Sequence, residues 1–269
     1  MVEIKNTNFS LEQICRSGQC FRMVCIGEEK YSLVACDKYL ELMQKDDKII
    51  FDCTQEEYDS VWYQYFDMET DYGKIIESID IEDEYLSVAA EYGQGIRILR
   101  QDLWEMIISF IVSQQNNIKR ITKCINNLCE KYGEKRVCGE ITYYAFPTPK
   151  ALAEAAIEDL NACNLGYRSR YILETSKYIY TKQIDLNALY DMPYIEAKTE
   201  LLKLCGVGTK VADCICLFAL HKTDAFPIDT HIRQVLDTHY TNGFPFERYA
   251  DYSGILQQYM FYYKLLHDL

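Results

Sequence analysis

No run of apolar residues in this chain is long enough to cross a bilayer as a helix, which excludes a helical membrane span within it. Its first residues, Met1-Val2-Glu3-Ile4-Lys5, carry none of the pattern of a secretory leader, so a cytoplasmic location is the expectation. Internal repeats and low-complexity linkers are also missing, which argues against a solenoid or a string of tethered modules. Cations are in deficit: 28 Lys and Arg face 41 Asp and Glu, a formal net charge of −13. That is the wrong sign for a protein held chiefly by phosphate contacts, because counterion release needs a basic surface.

What is present suffices for a sizeable core. The 269 residues are 49% hydrophobic, which fits one large or two modest domains. Twelve cysteines are scattered through mostly apolar contexts, where cysteine acts as a small hydrophobe, so free thiols are expected. Cys214 and Cys216 flank a single residue on an expected helix; they point to different sides and cannot share a zinc ion. The charge is uneven. Acidic residues crowd the first third, above all from Glu77 to Glu84, whereas Lys119, Arg120, Lys123, Arg168, Arg170, Lys177 and Lys210 lie later. A local basic face on an acidic body is open to such a chain.

Short β-leaning runs occupy Phe21 to Ile26, Tyr31 to Ala35, Tyr39 to Met43 and Ile49 to Phe51, with Gly27-Glu28 and Asp46-Asp47 between them at hairpin spacing. They predict an antiparallel sheet. From Thr54 the period turns helical. Helices are expected at Gln55 to Phe66, Asp102 to Ser113, Ile118 to Tyr132, Lys150 to Asn161, Arg168 to Lys182 and Asp185 to Tyr190. Four more follow at Tyr194 to Leu204, Lys210 to His221, Thr230 to His239 and Tyr249 to Leu266. The fold class is α+β: an N-terminal domain with a twisted antiparallel sheet over 1–88, and a mainly helical region over 89–269, divided near the acidic stretch and the Gly93-Gln94-Gly95 break.

The stretch from Leu204 to Leu236 organises the rest. Gly206-Val207-Gly208 makes a turn in which small residues allow a sharp fold and a close approach to a ligand. The helix that follows is apolar on nearly every face from Val211 to Leu220, the pattern of a buried segment. Lys210 is oddly placed in its first turn, because the helix dipole there disfavours an ammonium group. The chain then stops at Phe226-Pro227-Ile228, and Asp229 is positioned to cap the next helix.

Two polar clusters carry a choice of readings. Gln114-Gln115-Asn116-Asn117 places four carboxamides directly after an apolar run, with Arg120 one turn on. They suit either a helix break or hydrogen bonding to base edges. Tyr167, Arg168, Arg170 and Tyr171 surround the turn at Gly166, either as a surface turn or as rings and guanidinium groups for a nucleic acid. Gly18, in Ser17-Gly18-Gln19, reads locally as a turn glycine.

Taken together these segments resemble the base-excision DNA glycosylases whose signature is a helix-hairpin-helix, a glycine/proline-rich loop and an aspartate (HhH-GPD), with the hairpin here near 196–221. Within that superfamily the chain is similar to 8-oxoguanine DNA glycosylases, on the Leu204 to Leu236 block, Ser17 to Arg22, Gly95 to Asp102, the amide run to Arg120, Leu165 to Tyr171 and Tyr252 to Phe261. Cys205 departs from the pattern, where proline usually precedes the first glycine. Gln114-Gln115 departs too, where related eukaryotic enzymes tend to have serine or asparagine. The rival within the superfamily is the endonuclease III type, many of which carry a four-cysteine iron–sulfur cluster after the catalytic region; no cysteine follows Cys216 here. A non-catalytic helix-hairpin-helix DNA-binding module would not need Lys210 and Asp229 at this separation.

The resemblance implies a monomeric enzyme acting on double-stranded DNA that contains 8-oxoguanine, preferentially opposite cytosine, without a membrane and without a catalytic metal or required cofactor. In a bacterial cell it would be nucleoid-associated. Lys210 would be the nucleophile, forming a Schiff base from which β-elimination nicks the strand, and Asp229 would face the charge that builds on the sugar. Gly18 would offer its carbonyl to the base, Phe261 and Cys214 would sandwich the ring, and Gln257 would read its Watson–Crick edge. Gln115, Asn116 and Arg120 would face the opposite cytosine, Tyr167 would wedge beside it and Arg168 would assist. Gly206, Gly208, Thr209 and His231 would hold the DNA backbone, with a structural monovalent cation at the hairpin.

Overall fold

The computed structural model describes residues 1–267. Five strands, β1 (Val2–Lys5), β2 (Met23–Gly27), β3 (Lys30–Ala35), β4 (Lys38–Lys45) and β5 (Lys48–Phe51), form an antiparallel sheet in the order β1-β5-β4-β3-β2. Tight turns join the last four. Cys36 and Asp37 both take positive φ, 50° and 60°, the geometry whose twist matches the strands on either side. Alternation then puts Tyr31, Leu33, Ala35, Leu40, Leu42, Ile49 and Phe51 on one buried face. Behind it lie α1 (Leu11–Arg16) and a helical run made of α2 (Gln55–Glu57), a π turn (Tyr58–Trp62) and α3 (Tyr63–Tyr65).

The helical body begins with α4 (Tyr72–Glu77) and α5 (Glu84–Gly93), then an extended segment over 95–101 that leads into α6 (Leu103–Ser113) and α7 (Ile118–Tyr132). A two-stranded hairpin, β6 (Lys135–Cys138) and β7 (Ile141–Tyr144), precedes α8 (Pro149–Ala153), α9 (Ile157–Ala162), α10 (Arg168–Tyr180) and α11 (Ala188–Asp191). The helix-hairpin-helix is α12 (Tyr194–Leu201) and α13 (Thr209–Phe218), followed by α14 (Thr230–His239) and α15 (Ser253–His267). At its centre α6 packs on α13, both buried along most of their length, with Phe110 stacked on Phe218 at 5.6 Å. Closing the body, α5 lies along α15. No described helix is long and apolar enough to cross a membrane.

The extended segment 95–101 joins the two cores: Leu99 enters the sheet core, and Ile96 and Ile98 the helical one. Arg97 is buried in the seam, donating to the carbonyls of Phe66, Asp67, Thr70 and Asn8, with Tyr72 under its guanidinium at 4.4 Å. A buried arginine is tolerable only with its donors satisfied in this way.

Three features differ from the sequence expectation. The helix expected over Lys150 to Asn161 is two, because Ala156 is extended (φ −71°, ψ 142°) between α8 and α9. The elements β1, α1, α4, α5 and the β6–β7 hairpin were not expected; short segments like these show little periodicity of their own. The acidic stretch also turns out to be partly a capping device, since Asp71 and Asp83 accept the amides of Lys74 and Leu86 at the starts of α4 and α5.

Candidate active site

Lys210 stands in the first turn of α13, two residues after Gly208, which caps the helix. The preceding turn needs glycine at 206. Its φ is +81°, and a Cβ there would lie 2.6 Å from the Tyr171 ring. The amides of Gly206, Gly208, Thr209 and Lys210 engage no backbone carbonyl among the described residues, which leaves donors at the positive end of a helix for an anion. Half-buried, the Lys210 amine lies 5.6 Å from the centre of the Phe110 ring. One turn on, Cys214 is buried; burial pushes its thiol up, against the pull of neighbouring Lys210.

Asp229 caps α14: Oδ1 accepts the amide of Ile232 at 2.9 Å, and Oδ2 lies 3.3 Å from Nδ1 of His231. His231 in turn meets Phe261 edge to face at 5.9 Å. Consecutive glutamines on α15 tie the remaining walls together. Gln257 donates to Pro227 O at 3.0 Å and Gln258 to Ser17 O at 2.6 Å. Gln19, fully buried, donates to Ser17 Oγ and Arg97 O and accepts the amide of Leu99, so the loop bearing Gly18 is fixed from both sides. Gly18 has φ +75°, and a Cβ there would touch the Phe261 ring at 3.4 Å.

These pieces line a single cavity of about 50 Å³: Gly18, Lys210, Cys214, Asp229, Gln257 and Phe261, with Phe110 and Gln258 among the other walls. Oε1 of Gln257 is buried there without a hydrogen-bond partner among the described residues. An unsatisfied buried acceptor is costly, and an N–H donor from a ligand would relieve it.

On the other side of the hairpin, the amide run divides its roles. Asn117 caps α7 through the amide of Arg120 at 3.0 Å, and Asn116 donates to Val112 O at 3.1 Å. Gln115 is exposed at φ +46°, and Lys119, Arg120 and Lys123 are exposed on the first turns of α7. Tyr167 is 50% exposed, which leaves a ring face free to stack. Arg168 is not brought to the surface: only 3% exposed, its guanidinium donates to the carbonyls of Gln114, Gln115 and Leu165.

Comparison with known proteins agrees over most of the chain. Residues 108–243 match the HhH-GPD superfamily base excision DNA repair protein family, and residues 1–107 match the 8-oxoguanine DNA glycosylase N-terminal domain. The N-glycosylase/DNA lyase of Saccharomyces cerevisiae is 30% identical over 263 residues, covering 88% of this chain and 70% of that one. The chain belongs to the 8-oxoguanine DNA glycosylase family. The Clostridium acetobutylicum 8-oxoguanine glycosylase/lyase, in complex with double-stranded DNA containing cytosine opposite 8-oxoG, superposes on this glycosylase with a TM-score of 0.91 at 36% identity, over 97% of this chain and 93% of that one. MBOgg1 in complex with a low-affinity DNA ligand gives a TM-score of 0.93 at 35% identity, over 99% and 96%.

Sequence reasoning missed several walls of the glycosylase cavity: Ser17, Phe110, Phe218, Pro227 and Gln258. Gln258 had a signal, a second amide beside Gln257 in an otherwise apolar helix; the others look like any buried residue. A larger cleft of about 690 Å³ lies at the far ends of α6 and α13, lined in part by Asp37, Arg100, Asp102, Glu105, Trp104 and His221. Burial pushes the Glu105 carboxyl there up to about 7, against the opposing charge of Arg22. The cleft holds none of the catalytic, base-recognition or DNA-contact residues that the family resemblance implies, although Arg100, Asp102 and His221 lie in segments that carry it.

Proposed function

We propose that this glycosylase excises 8-oxoguanine from duplex DNA, with cytosine favoured opposite, and cuts the strand through a Schiff base on Lys210. The observation that carries this reading is the cavity itself: Gly18, Lys210, Cys214, Asp229, Gln257 and Phe261 come from separate parts of the chain and meet in one place. The Lys210 amine attacks C1′ of the damaged nucleotide; the C1′–N9 bond breaks as the C1′–Nζ bond forms, and its electron pair leaves with the base, which takes up a proton. Loss of ring oxygen from C1′ gives the Schiff base, and β-elimination then expels the 3′ phosphate. Lys210 reaches the cavity from the first turn of α13. Asp229 faces the positive charge that grows on the sugar.

Base choice rests on a small difference. 8-Oxoguanine carries a hydrogen on N7 where guanine has a bare acceptor, so the Gly18 carbonyl attracts the one and repels the other. Gln257 reads the Watson–Crick edge, its free Oε1 accepting an N–H, while Phe261 and Cys214 hold the ring faces. Gln115, Asn116 and Arg120 meet the opposite cytosine and Tyr167 wedges into the gap. Arg168 assists from inside, holding the carbonyls of the turn.

The free amides of the hairpin, with His231, hold phosphates in a sequence-blind manner. A monovalent cation suits the same turn: Thr175 and Gln114 occupy the carbonyls of Cys205 and Gly206, whereas those of Leu202 and Val207 accept no backbone amide among the described residues. Such an ion would support the turn electrostatically. The enzyme would work as a monomer on genomic DNA, in the cytoplasm and nucleoid-associated in a bacterial cell, with a sheet unit over 1–88 and a helical unit over 89–269, although Tyr72 and Leu86 already pack in the helical core.

Duplexes with 8-oxoguanine opposite each base, incubated with and without borohydride, test the reading in one assay. The wild-type protein should release the base, cut opposite cytosine fastest and form a covalent adduct; Lys210→Gln should form none. Absence of an adduct with the wild-type protein would falsify the lysine mechanism.

A further inference from the structure

Gln114 closes α6, where the main chain leaves the helix at φ −60°, ψ 127°. Its side chain reaches two carbonyls: Nε2 donates to Ile111 O at 3.1 Å and, across the fold, to Gly206 O at 2.8 Å. Both partners only accept, so the NH₂ end of the amide belongs there. Its own carbonyl accepts from Arg168 Nε at 2.9 Å, from a second guanidinium nitrogen, and from the Tyr167 hydroxyl at 3.5 Å. Gln114 is thereby pinned by α10 at its main chain and tied to the hairpin at its side chain.

Each end of that tie sits on a constrained backbone. On the hairpin, the Gly206–Val207 peptide is held twice, its carbonyl by Gln114 and its N–H by Leu204 O at 3.1 Å. Such a plane cannot rotate without losing a hydrogen bond, and α13 with Lys210 starts just beyond it. On the other end, Gln115 has φ +46°, a conformation that strains a non-glycine residue and persists only where neighbours impose it. A serine or asparagine at 114 would be too short to span to the hairpin.

We infer that Gln114 is a positioning residue that couples the opposite-base turn to the hairpin carrying Lys210. Nucleophile placement then depends on how the turn sits against the base opposite the lesion. The inference rests on reading Gln115, Asn116 and Arg120 as the residues that face that base.

Gln114→Met keeps the length and removes the donor. Single-turnover excision from 8-oxoguanine opposite cytosine should fall about fivefold to tenfold, the loss of an ordinary hydrogen bond felt in the reacting complex. Excision opposite adenine should fall by roughly twofold or less, so the ratio of the two rates drops, with Tm little changed. Borohydride trapping on an abasic site opposite cytosine should slow by the same factor as excision opposite cytosine. Equal wild-type rates opposite both bases would sink the opposite-base reading alone; the coupling is then decided by the abasic duplex. Unchanged excision and trapping in Gln114→Met, or a uniform loss that follows a lowered Tm, would overturn the coupling.

Discussion

Asp229 gives its two oxygens different work. Oδ1 is tied to the amide of Ile232, and Oδ2 is left toward His231 and the cavity. Asp229→Asn keeps an oxygen for the cap, so its stability should stay within about 0.5 kcal/mol of wild type, while excision falls by roughly a hundredfold because the charge is gone. Asp229→Ala should lose both and destabilise by about 1 kcal/mol more. Urea unfolding and single-turnover excision on the three proteins separate the roles; full excision by Asp229→Asn would remove the carboxylate from the chemistry. Lys210 and Asp229 were legible in the chain because a helix start and a cap are local events spanning a few residues. Arg168 was not. Beside Tyr167 at a turn it looks like a contact for DNA, and the carbonyl that turns it inward belongs to Gln114, 54 residues earlier.

At the scale of elements, the hairpin between α12 and α13 separates two glycines that look alike in the sequence. Gly206 has positive φ and the Tyr171 ring against it, whereas Gly208 has ordinary φ and nothing within 4 Å of the place a Cβ would take. Gly206→Ala should cost about 1–3 kcal/mol, seen as a lower thermal midpoint, together with weaker DNA binding. Gly208→Ala should leave the fold within about 1 kcal/mol of wild type and weaken DNA binding, since on the proposed reading its methyl group would meet a phosphate. Thermal unfolding with DNA titration checks both, and a larger stability loss at Gly208 would reverse the assignment. Helices α7 and α14 follow the apolar period closely and α6 is a continuous apolar run, so all three were readable, whereas α4, α5 and the β6–β7 hairpin depend on what they pack against.

For the whole molecule, the join between the sheet unit and the helical body matters most. Asp67, fully buried after α3, accepts from Arg100 and from the Tyr72 hydroxyl and lies 3.2 Å from His221, just beyond α13. Burial pushes its carboxyl up, but His221, Thr70 and Arg100 prevail and hold it well below the ordinary 3.8. A folded-state value below the unfolded one means that the ionised form stabilises the fold above pH 3.8, and that this stabilisation is lost as pH falls through the depressed value. Asp67→Asn should therefore cost about 3 kcal/mol at pH 7, and the gap to wild type should narrow below pH 3.8. Urea midpoints at neutral and acid pH measure it; a gap independent of pH would mean that the charge is not what holds the join.

Sequence by itself determined the fold class, the buried helix α13, the glycine turn before it and the cap after it, because each follows from spacing within one or two turns of chain. It also marked the amides and rings that work away from the cavity, without saying which face outward. Only the tertiary structure decided that Gly18, Lys210, Cys214, Asp229, Gln257 and Phe261 share one cavity, that Arg168 is spent on holding a turn, and that Gln114 reaches the hairpin. Those are contacts between residues far apart in the chain. Local propensity carries no record of them, since they arise when buried polar groups must find partners wherever the packed core brings one within reach.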